Sequence, residues 1–597
     1  MQRFVDEALA ATEVALPCDP AALTAFVEEL ATREIHGRTG TEAMRAFRRL
    51  LKALRGHYRR NRQVFTANAI DTLREVASRI ESVPASDNAT VQQVLKRDFG
   101  YTTFRPGQQP IIEAVLEGRD AIAILPTGGG KSLCYQLPAR ILDGMTLVVS
   151  PLIALMKDQV DSLRELGIAA VFLNSTLSPD ERRATVDGLL AGKYQLLYAA
   201  PEGLDASVGS LLAKLPISLL AVDEAHCISH WGHDFRPTYR QLQGLKRRLG
   251  DVPILALTAT ATQNVVDDIA EQLRMVSPYV HRGSFFRPNL KLHALQKGPT
   301  LGATTKEAVA RFIRERRGLS GIVYCLSRKG TEATAAWLKS SGIRAAAYHA
   351  GLETVERARV QSAYRDDDVD VVIATIAFGM GIDKSNVRYV IHHDMPRSIE
   401  GYMQEIGRAG RDGLDSECLL FYSWADVLAH DRIAASLDDE QALARQRAQV
   451  RAMYELAASD GCRHQRLVSH FDETISACGS ACDHCRPYPL FESRRSKRPS
   501  GGGREIQGGS PPLRRHVASC AGDEVSRIRF ERLKELRLEL ARQKRVPAYV
   551  VFSDATLLAM AEQNPDSLDA LSEVPGVGHK KLEAYGRQFI AFLRALD

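Results

Sequence analysis

Hydrophobic and polar positions alternate along this chain in a way that changes from segment to segment. In the middle of the chain, short apolar runs such as residues 121–125 and 321–324 are separated by stretches with helical spacing. Fully apolar strands that alternate with helices are typical of parallel sheets covered on both faces. The pattern therefore predicts two α/β lobes, at residues 92–283 and 284–428.

The flanking segments have helical patterns instead. Residues 1–85 predict a helical N-terminal extension of unknown role, with one apolar face formed by Leu23, Phe26, Val27 and Leu30. Residues 45–55 are basic and amphipathic, which fits a packed helix with a solvated face better than a DNA contact. Residues 491–524 are rich in glycine, proline and basic residues and predict a flexible linker. Residues 525–597 predict a small all-α domain.

Composition narrows the class of protein only slightly. A hydrophobic fraction of 45% and a charged fraction of 25% are ordinary for a globular protein. The chain contains no apolar run of ~18 residues and no secretory signal pattern, so we expect a cytoplasmic protein without a membrane span, associated with the nucleoid if the source is bacterial. The net charge of +6 is too small to identify a partner.

A glycine-rich turn gives the strongest chemical signal. Residues 126–132 read Pro-Thr-Gly-Gly-Gly-Lys-Ser and follow an apolar strand. Such a turn lets backbone N–H groups surround phosphates, while Lys131 reaches the β- and γ-phosphates and Ser132 holds Mg²⁺. We therefore predict an ATP site that includes Thr127, Gly128, Gly129 and Gly130. Leu125 replaces the first glycine of the strict pattern, so a plain strand–helix turn is the alternative for this motif alone.

Two carboxylates follow another apolar strand about 90 residues downstream. Asp223 is suited to binding Mg²⁺ through water, and Glu224 to orienting or deprotonating the attacking water. A strand-end Asp-Glu pair by itself is often a solvated loop. After a phosphate-binding turn in a parallel sheet, the catalytic interpretation is favoured.

These motifs, in this order, resemble the RecQ family of superfamily 2 helicases. The resemblance covers residues 95–485 and the C-terminal segment, and it implies that both lobes are RecA-like. Segments similar to the family's motifs are residues 101–108, 150–159, 257–261, 374–384 and 404–413. The likeness implies that Arg105 and Gln108 contact adenine. Arg408 and Arg411 lie three residues apart, on one side of a predicted helical turn, and Arg411 is the arginine-finger candidate.

Candidate DNA contacts lie in two places. Residues 228–237 mix aromatic, imidazole and guanidinium groups, which suit either stacking on bases or a buried aromatic turn. The segment resembles the RecQ aromatic-rich loop, which favours the DNA role for Trp231, Phe235 and Arg236. Residues 525–597 resemble the HRDC domain, whose Pro-Gly-Val-Gly turn precedes Lys580 and Lys581. These two lysines are further DNA candidates, with a plain helical bundle as the alternative.

Four of the ten cysteines lie close together: Cys462, Cys478, Cys482 and Cys485. Four thiolates suit tetrahedral Zn²⁺ of a structural kind, because they leave no open coordination position. The RecQ resemblance implies the same four-cysteine site, although this chain has one extra residue between the second and third ligands. We assign residues 429–490 to this zinc-binding helical subdomain.

Together these features predict an ATP-dependent DNA helicase of the RecQ type, with ATP, Mg²⁺ and Zn²⁺ as cofactors. The resemblance also implies 3′–5′ polarity and a role in DNA repair and recombination. The expected partners are single-stranded and partly duplex DNA, and single-strand-binding or repair proteins. Only about forty residues separate Cys485 from the C-terminal helices, too few for the family's winged-helix domain of ~100 residues. The nearest alternative is therefore a DNA-stimulated ATPase that translocates, remodels or anneals strands without processive unwinding. An RNA-directed helicase and a nucleotide-gated DNA-binding scaffold are the other two alternatives.

Overall fold

The structure is a computed structural model. It describes residues 16–17, 19–32, 50, 54, 57–58, 61–81, 88–151, 153–174, 177–206, 209–229, 236–250, 252–379, 384–435, 439–487, 490, 524–544 and 546–596. The chain divides into two compact units, residues 1–93 and 94–597.

The first unit is helical, as its pattern predicts. Its longer described helices are Pro20–Thr32 and Ala67–Glu81, and a short 3₁₀ turn at Arg62–Val64 precedes the second. The predicted apolar face is confirmed, because Leu23, Phe26, Val27 and Leu30 are all buried. Most of the basic segment at residues 45–55 lies outside the described residues.

The second unit contains two parallel sheets, which confirms the predicted pair of α/β lobes. The lobe 1 sheet has the strand order β3-β4-β2-β5-β6-β1-β7, and the lobe 2 sheet has the order β10-β11-β9-β12-β13-β8. The strands of lobe 1 are β1 (Ala121–Ile124), β2 (Met145–Val149), β3 (Ala170–Leu173), β4 (Leu196–Ala199), β5 (Ile217–Val222), β6 (Ile254–Thr258) and β7 (Tyr279–Arg282). Those of lobe 2 are β8 (Leu290–Gln296), β9 (Ser320–Tyr324), β10 (Ala345–Tyr348), β11 (Val371–Ala374), β12 (Val387–His392) and β13 (Ser416–Tyr422).

Helices follow most of these strands and cover the sheets. In lobe 1 the longer ones are Gln108–Leu116, Ile153–Glu165, Pro179–Leu190 and Gln263–Gln272. In lobe 2 they are Thr305–Glu315, Arg328–Ser340, Thr354–Arg365 and Ile399–Ile406. Two helix starts are fixed by capping boxes: Ser178 and Thr304 each exchange hydrogen bonds with the glutamate three residues on. Because every strand is parallel, loops at the carboxyl ends of the strands gather at one edge of each sheet.

Two helical parts follow lobe 2. The first consists of Trp424–Ala434, Glu440–Ala458 and Arg463–Ser469, which lead to the cysteine cluster. The second has its own apolar core and contains the helices Glu524–Lys544, Ala548–Val551, Asp554–Gln563, Leu568–Ser572 and His579–Leu596. Among the described helices, none is both long enough and apolar enough to cross a bilayer.

Candidate active site

The glycine-rich turn lies where the sequence predicts, between β1 and the helix Leu133–Gln136. Gly128 and Gly130 have φ angles of 84° and 77°, a backbone region that a side chain would strain. Lys131 is half-buried and lies next to this turn. Burial lowers the pKa of its ammonium group, and the carboxylates of Glu224 and Asp223 oppose that shift. The lysine and the two carboxylates predicted for ATP chemistry therefore share one site.

Arg105 and Gln108 brace the turn from the N-terminal side. The Gln108 amide donates to the carbonyl of Gly130 at 3.0 Å and accepts from the backbone N–H of Arg105 at 2.8 Å. The Arg105 guanidinium donates to the carbonyl of Gly128. Both side chains thus hold the phosphate-binding turn in shape. Their predicted contact with adenine remains a prediction.

The carboxylate pair follows β5, also as predicted. Glu224 has a φ of 47°, a left-handed conformation that a non-glycine residue rarely adopts. The carbonyl of Asp223 accepts from the Tyr239 hydroxyl at 2.9 Å, and its carboxylate accepts from the Glu224 N–H at 3.0 Å. With this conformation the chain leaves the extended path of β5 at Glu224 and enters the 3₁₀ helix Ala225–Ile228.

Sequence reasoning missed His226 as a member of this site. Its Nδ1 atom lies 3.4 Å from the Glu224 carboxylate and 3.0 Å from the Thr258 hydroxyl. That hydroxyl donates in turn to the carbonyl of Thr260 at 3.0 Å. The imidazole therefore connects the candidate catalytic carboxylate to residues 257–261, one of the segments that resemble a RecQ-family motif.

Residues 407–413 of lobe 2 lie against the phosphate-binding turn; we call them the motif VI turn. The helix before them ends at Ile406, so Arg408 and Arg411 are not on a regular helical turn, contrary to our prediction. The physical reason is Gly410, whose φ of 57° breaks the helical path. Both arginines are still close enough to Lys131 to lower its pKa.

The contact between the motif VI turn and lobe 1 is close. A Cβ atom on Gly407 would come within 2.8 Å of the Thr127 Cβ, and one on Gly128 within 3.3 Å of the Arg411 Cα. Groups from both lobes therefore surround the position where phosphates are expected. This arrangement is what phosphoryl transfer needs, because a cation from lobe 2 can stabilise charge on phosphates held by lobe 1.

Arg287, between the lobes, is the second residue that sequence reasoning missed. Its guanidinium donates to the carbonyl of Thr127 at 2.9 Å, and to those of Ala409 and Gly410 at 3.1 and 2.5 Å. Burial lowers the pKa of this guanidinium to about 10, so it remains charged at neutral pH. One side chain thus joins the phosphate-binding turn to the motif VI turn. The only sequence signal was its place at the boundary between the two α/β patterns.

The four predicted zinc ligands come together. The Sγ atoms of Cys462, Cys478, Cys482 and Cys485 all lie within 4.8 Å of one another. Zn–S bonds of ~2.3 Å in a tetrahedron place sulfur atoms roughly 3.8 Å apart, so the cluster fits one zinc ion. The extra residue between the second and third cysteines does not prevent this, since Gly479, with a φ of 71°, helps to form the local turn.

The cysteine cluster is attached to lobe 2 and to the segment between the lobes. Leu292, on the edge strand β8, donates to Ala481 at 2.9 Å and accepts from the N–H of Asp483 at 2.9 Å. The rings of Phe285 and Phe471 stack with centroids 4.6 Å apart. A zinc ion held here would therefore stabilise the attachment of the cysteine cluster to strand β8 of lobe 2.

Comparison with known proteins gives four family matches along the chain. The DEAD/DEAH box helicase family matches residues 105–269, and the helicase conserved C-terminal domain matches residues 304–413. The RecQ zinc-binding family matches residues 424–486, and the HRDC domain family matches residues 527–593. Each match covers a segment whose geometry is described above.

Relatives align across most of the chain. The ATP-dependent DNA helicase RecQ of Haemophilus influenzae is 37% identical, over 85% of this chain and 96% of that protein. The Bacillus subtilis protein of the same name is 36% identical, over 84% and 98%. The chain belongs to the RecQ family. Another relative, the probable ATP-dependent DNA helicase RecS of Bacillus subtilis, is 46% identical over 58% of this chain and 69% of that protein.

Part of the RecQ aromatic-rich loop lies outside the described residues, and this includes Trp231 and Phe235. Arg236 is described. Its guanidinium donates to the carbonyl of Pro151 at 3.2 Å, and its N–H to that of Cys227 at 2.9 Å. It therefore connects the carboxylate segment to residues 150–159, another segment that resembles a RecQ-family motif. Its role in DNA binding remains a prediction.

The two C-terminal lysines have different surroundings in this RecQ-family chain. Lys580 is more than half exposed and lies 3.6 Å from Glu583. Lys581 is half-buried, and burial of its ammonium group lowers its pKa to about 8, an effect that Glu165 of lobe 1 opposes. Of the two, Lys580 is the better placed to reach DNA in this arrangement.

The Pro-Gly-Val-Gly turn itself faces lobe 1. The N–H of Gly576 donates to the carbonyl of Gly100 at 3.1 Å. A Cβ atom on Gly100 would come within 2.3 Å of the Gly578 nitrogen, so only glycine permits this approach. The Gly576 N–H is therefore used for docking of the HRDC domain against lobe 1 in this structure.

Cys325, His393 and Asp394 form another cluster of metal-ligand type among the described residues. The ammonium of Lys297 lies 2.9 Å from the Asp394 carboxylate. Burial alone would raise the pKa of that carboxyl, but His393 and Lys297 hold it well below its usual range. Burial raises the pKa of the Cys325 thiol to about 12. A neutral thiol and a carboxylate already paired with a cation make this cluster an ion-pair site.

Proposed function

We propose that this chain hydrolyses ATP to move 3′ to 5′ along single-stranded DNA and to separate duplexes, in DNA repair and recombination. The observation that supports this most is the site shared between the lobes. Lys131, Asp223 and Glu224 come from lobe 1, and Arg408 and Arg411 from lobe 2. Membership of the RecQ family, with relatives named as ATP-dependent DNA helicases, supports DNA as the substrate.

We infer movement of the protein along DNA from the position of this site between the lobes. A γ-phosphate between the lobes attracts cations of both, and its loss on hydrolysis removes that attraction. Lobes that close and open on a bound strand would step along it if each grips DNA differently in the two states. The polarity is proposed from family likeness. We place the work inside the cell, in the cytoplasm or on a bacterial nucleoid, with single-strand-binding or repair proteins as partners.

Strand displacement tests the proposal. Duplexes with a 3′ or a 5′ single-stranded tail would be incubated with the protein, ATP and Mg²⁺, with Lys131→Ala as the inactive control. We expect the 3′-tailed duplex to separate, the 5′-tailed duplex to persist, and the variant to be inactive. Equal separation of both duplexes contradicts the polarity.

One observation favours a second candidate function, an ATP-driven translocase or remodeller that does not unwind processively. Cys485 and the first described C-terminal helix, which begins at Glu524, are too close in sequence for a strand-separating domain of ~100 residues. ATP hydrolysis on single strands with no displacement of either duplex would favour this function. The same assay therefore distinguishes the two candidates.

A further inference from the structure

The motif VI turn is held at its far end by a buried ion pair. The carboxylate of Asp412, directly after Arg411, accepts from the guanidinium of Arg388 and from the N–H of Leu414 at 3.2 Å. The two paired side chains are only 5% and 1% exposed. A buried pair of this kind depends on both partners, because losing one leaves an uncompensated charge. The position of Arg388 therefore helps to fix the turn that carries the arginine-finger candidate.

Arg388 also faces a carboxylate of the HRDC domain. Its guanidinium lies 4.0 Å from Asp554, the first residue of the helix Asp554–Gln563. The other oxygen of Asp554 accepts from Arg537 at 2.7 Å, and Arg537 also donates to the Phe552 carbonyl at 2.9 Å. The result is a row of alternating charges that runs from the core of the HRDC domain to the motif VI turn.

The arginines in this row influence the protonation of its two carboxyl groups. Burial would raise the pKa of Asp554, but Arg537 and Arg388 bring it down to about 2, so the carboxylate is ionised. Burial raises the pKa of Asp412, and Arg388 opposes that shift. Arg388 thus lies between two carboxylates, one from each domain, and its position depends on both.

We propose that Asp554 is a positioning residue for ATP hydrolysis: it holds Arg388, which holds Asp412 and the turn that carries Arg411. The idea rests on the proposed role of Arg411. It gives the HRDC domain a part in the ATPase cycle that is separate from DNA binding. Without Asp554, Arg388 keeps its bonds to Asp412 and to the carbonyls of Ser385 and Asn386 but loses the carboxylate of the HRDC domain, and the finger is less well placed for the transition state.

The test uses the full-length protein and DNA-stimulated ATPase kinetics. Asp554→Asn removes the charge with little change in shape. We expect kcat to fall about tenfold, as for other residues that act through a network. The KM for ATP should stay within about twofold, because the phosphate-binding turn is untouched. Asp554→Glu, which keeps the charge, should restore most of the rate.

Glu573→Gln is the matched control. Glu573 also docks the HRDC domain, through an exposed ion pair with Lys96 of lobe 1 at 3.1 Å, but it does not touch the charge row. We expect its kcat to equal that of the parent. If loss of docking alone lowers the rate, Glu573→Gln and Asp554→Asn should fall together, and the proposal is wrong.

A double-variant cycle guards against misfolding of the HRDC domain. Arg388→Gln breaks the same row from the lobe 2 side and leaves the HRDC domain unchanged. Asp554→Asn should add nothing to the loss caused by Arg388→Gln if both act through one path. Independent, multiplying losses overturn the proposal, as does a parental kcat for Asp554→Asn. If the parent protein does not displace strands but the variants show these ATPase effects, the proposed function is overturned and this inference stands.

Discussion

Replacing Arg287 by alanine removes the hydrogen bonds that join the phosphate-binding turn to the motif VI turn. Of its contacts, the one to the Thr127 carbonyl, at 2.9 Å, crosses from one lobe to the other. A hydrogen bond to a charged group contributes about 2 kcal/mol when it is lost from a buried site. If this hydrogen bond forms only when the two lobes are closed on ATP, its loss raises the activation free energy by about 2 kcal/mol. The kcat should then fall about 30-fold.

The assay is DNA-stimulated ATP hydrolysis over a range of ATP concentrations. Arg287→Lys should not restore the rate, because a single ammonium group cannot reproduce the planar fork that reaches both lobes. Arg344→Ala is the matched control, since Arg344 forms an exposed pair with Asp370 within lobe 2. It should keep the parental kcat. A kcat for Arg287→Ala within threefold of the parent, at unchanged thermal stability, would refute the reasoning.

Three further predictions concern the zinc site, pH and docking. Cys482→Ser should lower bound zinc from about one ion per chain towards none and reduce the melting temperature, measured by metal analysis and calorimetry. Burial lowers the pKa of His293 to about 4, so this group should cost stability as pH falls from 6.5 towards 4. His293→Gln should therefore lose about 2 kcal/mol less than the parent between pH 7 and 5 in denaturant titrations, and equal losses would contradict this. Gly100→Ala should loosen the HRDC domain and speed proteolysis after residue 490, which an unchanged digestion pattern would contradict.

Local pattern was sufficient for much of this fold and site. Strands that are apolar throughout could be recognised one by one, and the turn at residues 126–132 carries its chemistry in consecutive residues. The four cysteines were also found from spacing alone, and they come together in the structure. In each case the residues that matter are neighbours in sequence, or share a type that is rare elsewhere in the chain.

What could not be predicted depends on contacts between distant segments. Arg287 looks like any other interdomain arginine until its carbonyl partners in both lobes are known. His226 contacts Thr258, the last residue of β6, which lies about thirty residues further along the chain. The docking of the HRDC domain depends on the bare backbone of Gly100 against Gly578. No periodicity in the sequence marks such pairs, since each half is unremarkable by itself.

We infer that one ATP site is assembled from both lobes, with Arg411 acting on phosphates held by Lys131. Single-turnover ATP hydrolysis by Arg411→Ala, beside a direct measurement of ATP binding, tests it most directly. We predict a rate about 10³-fold below the parent with nearly parental ATP affinity, because an arginine finger acts mainly in the transition state. A parental rate, or a rate loss explained entirely by weaker ATP binding, would contradict the account.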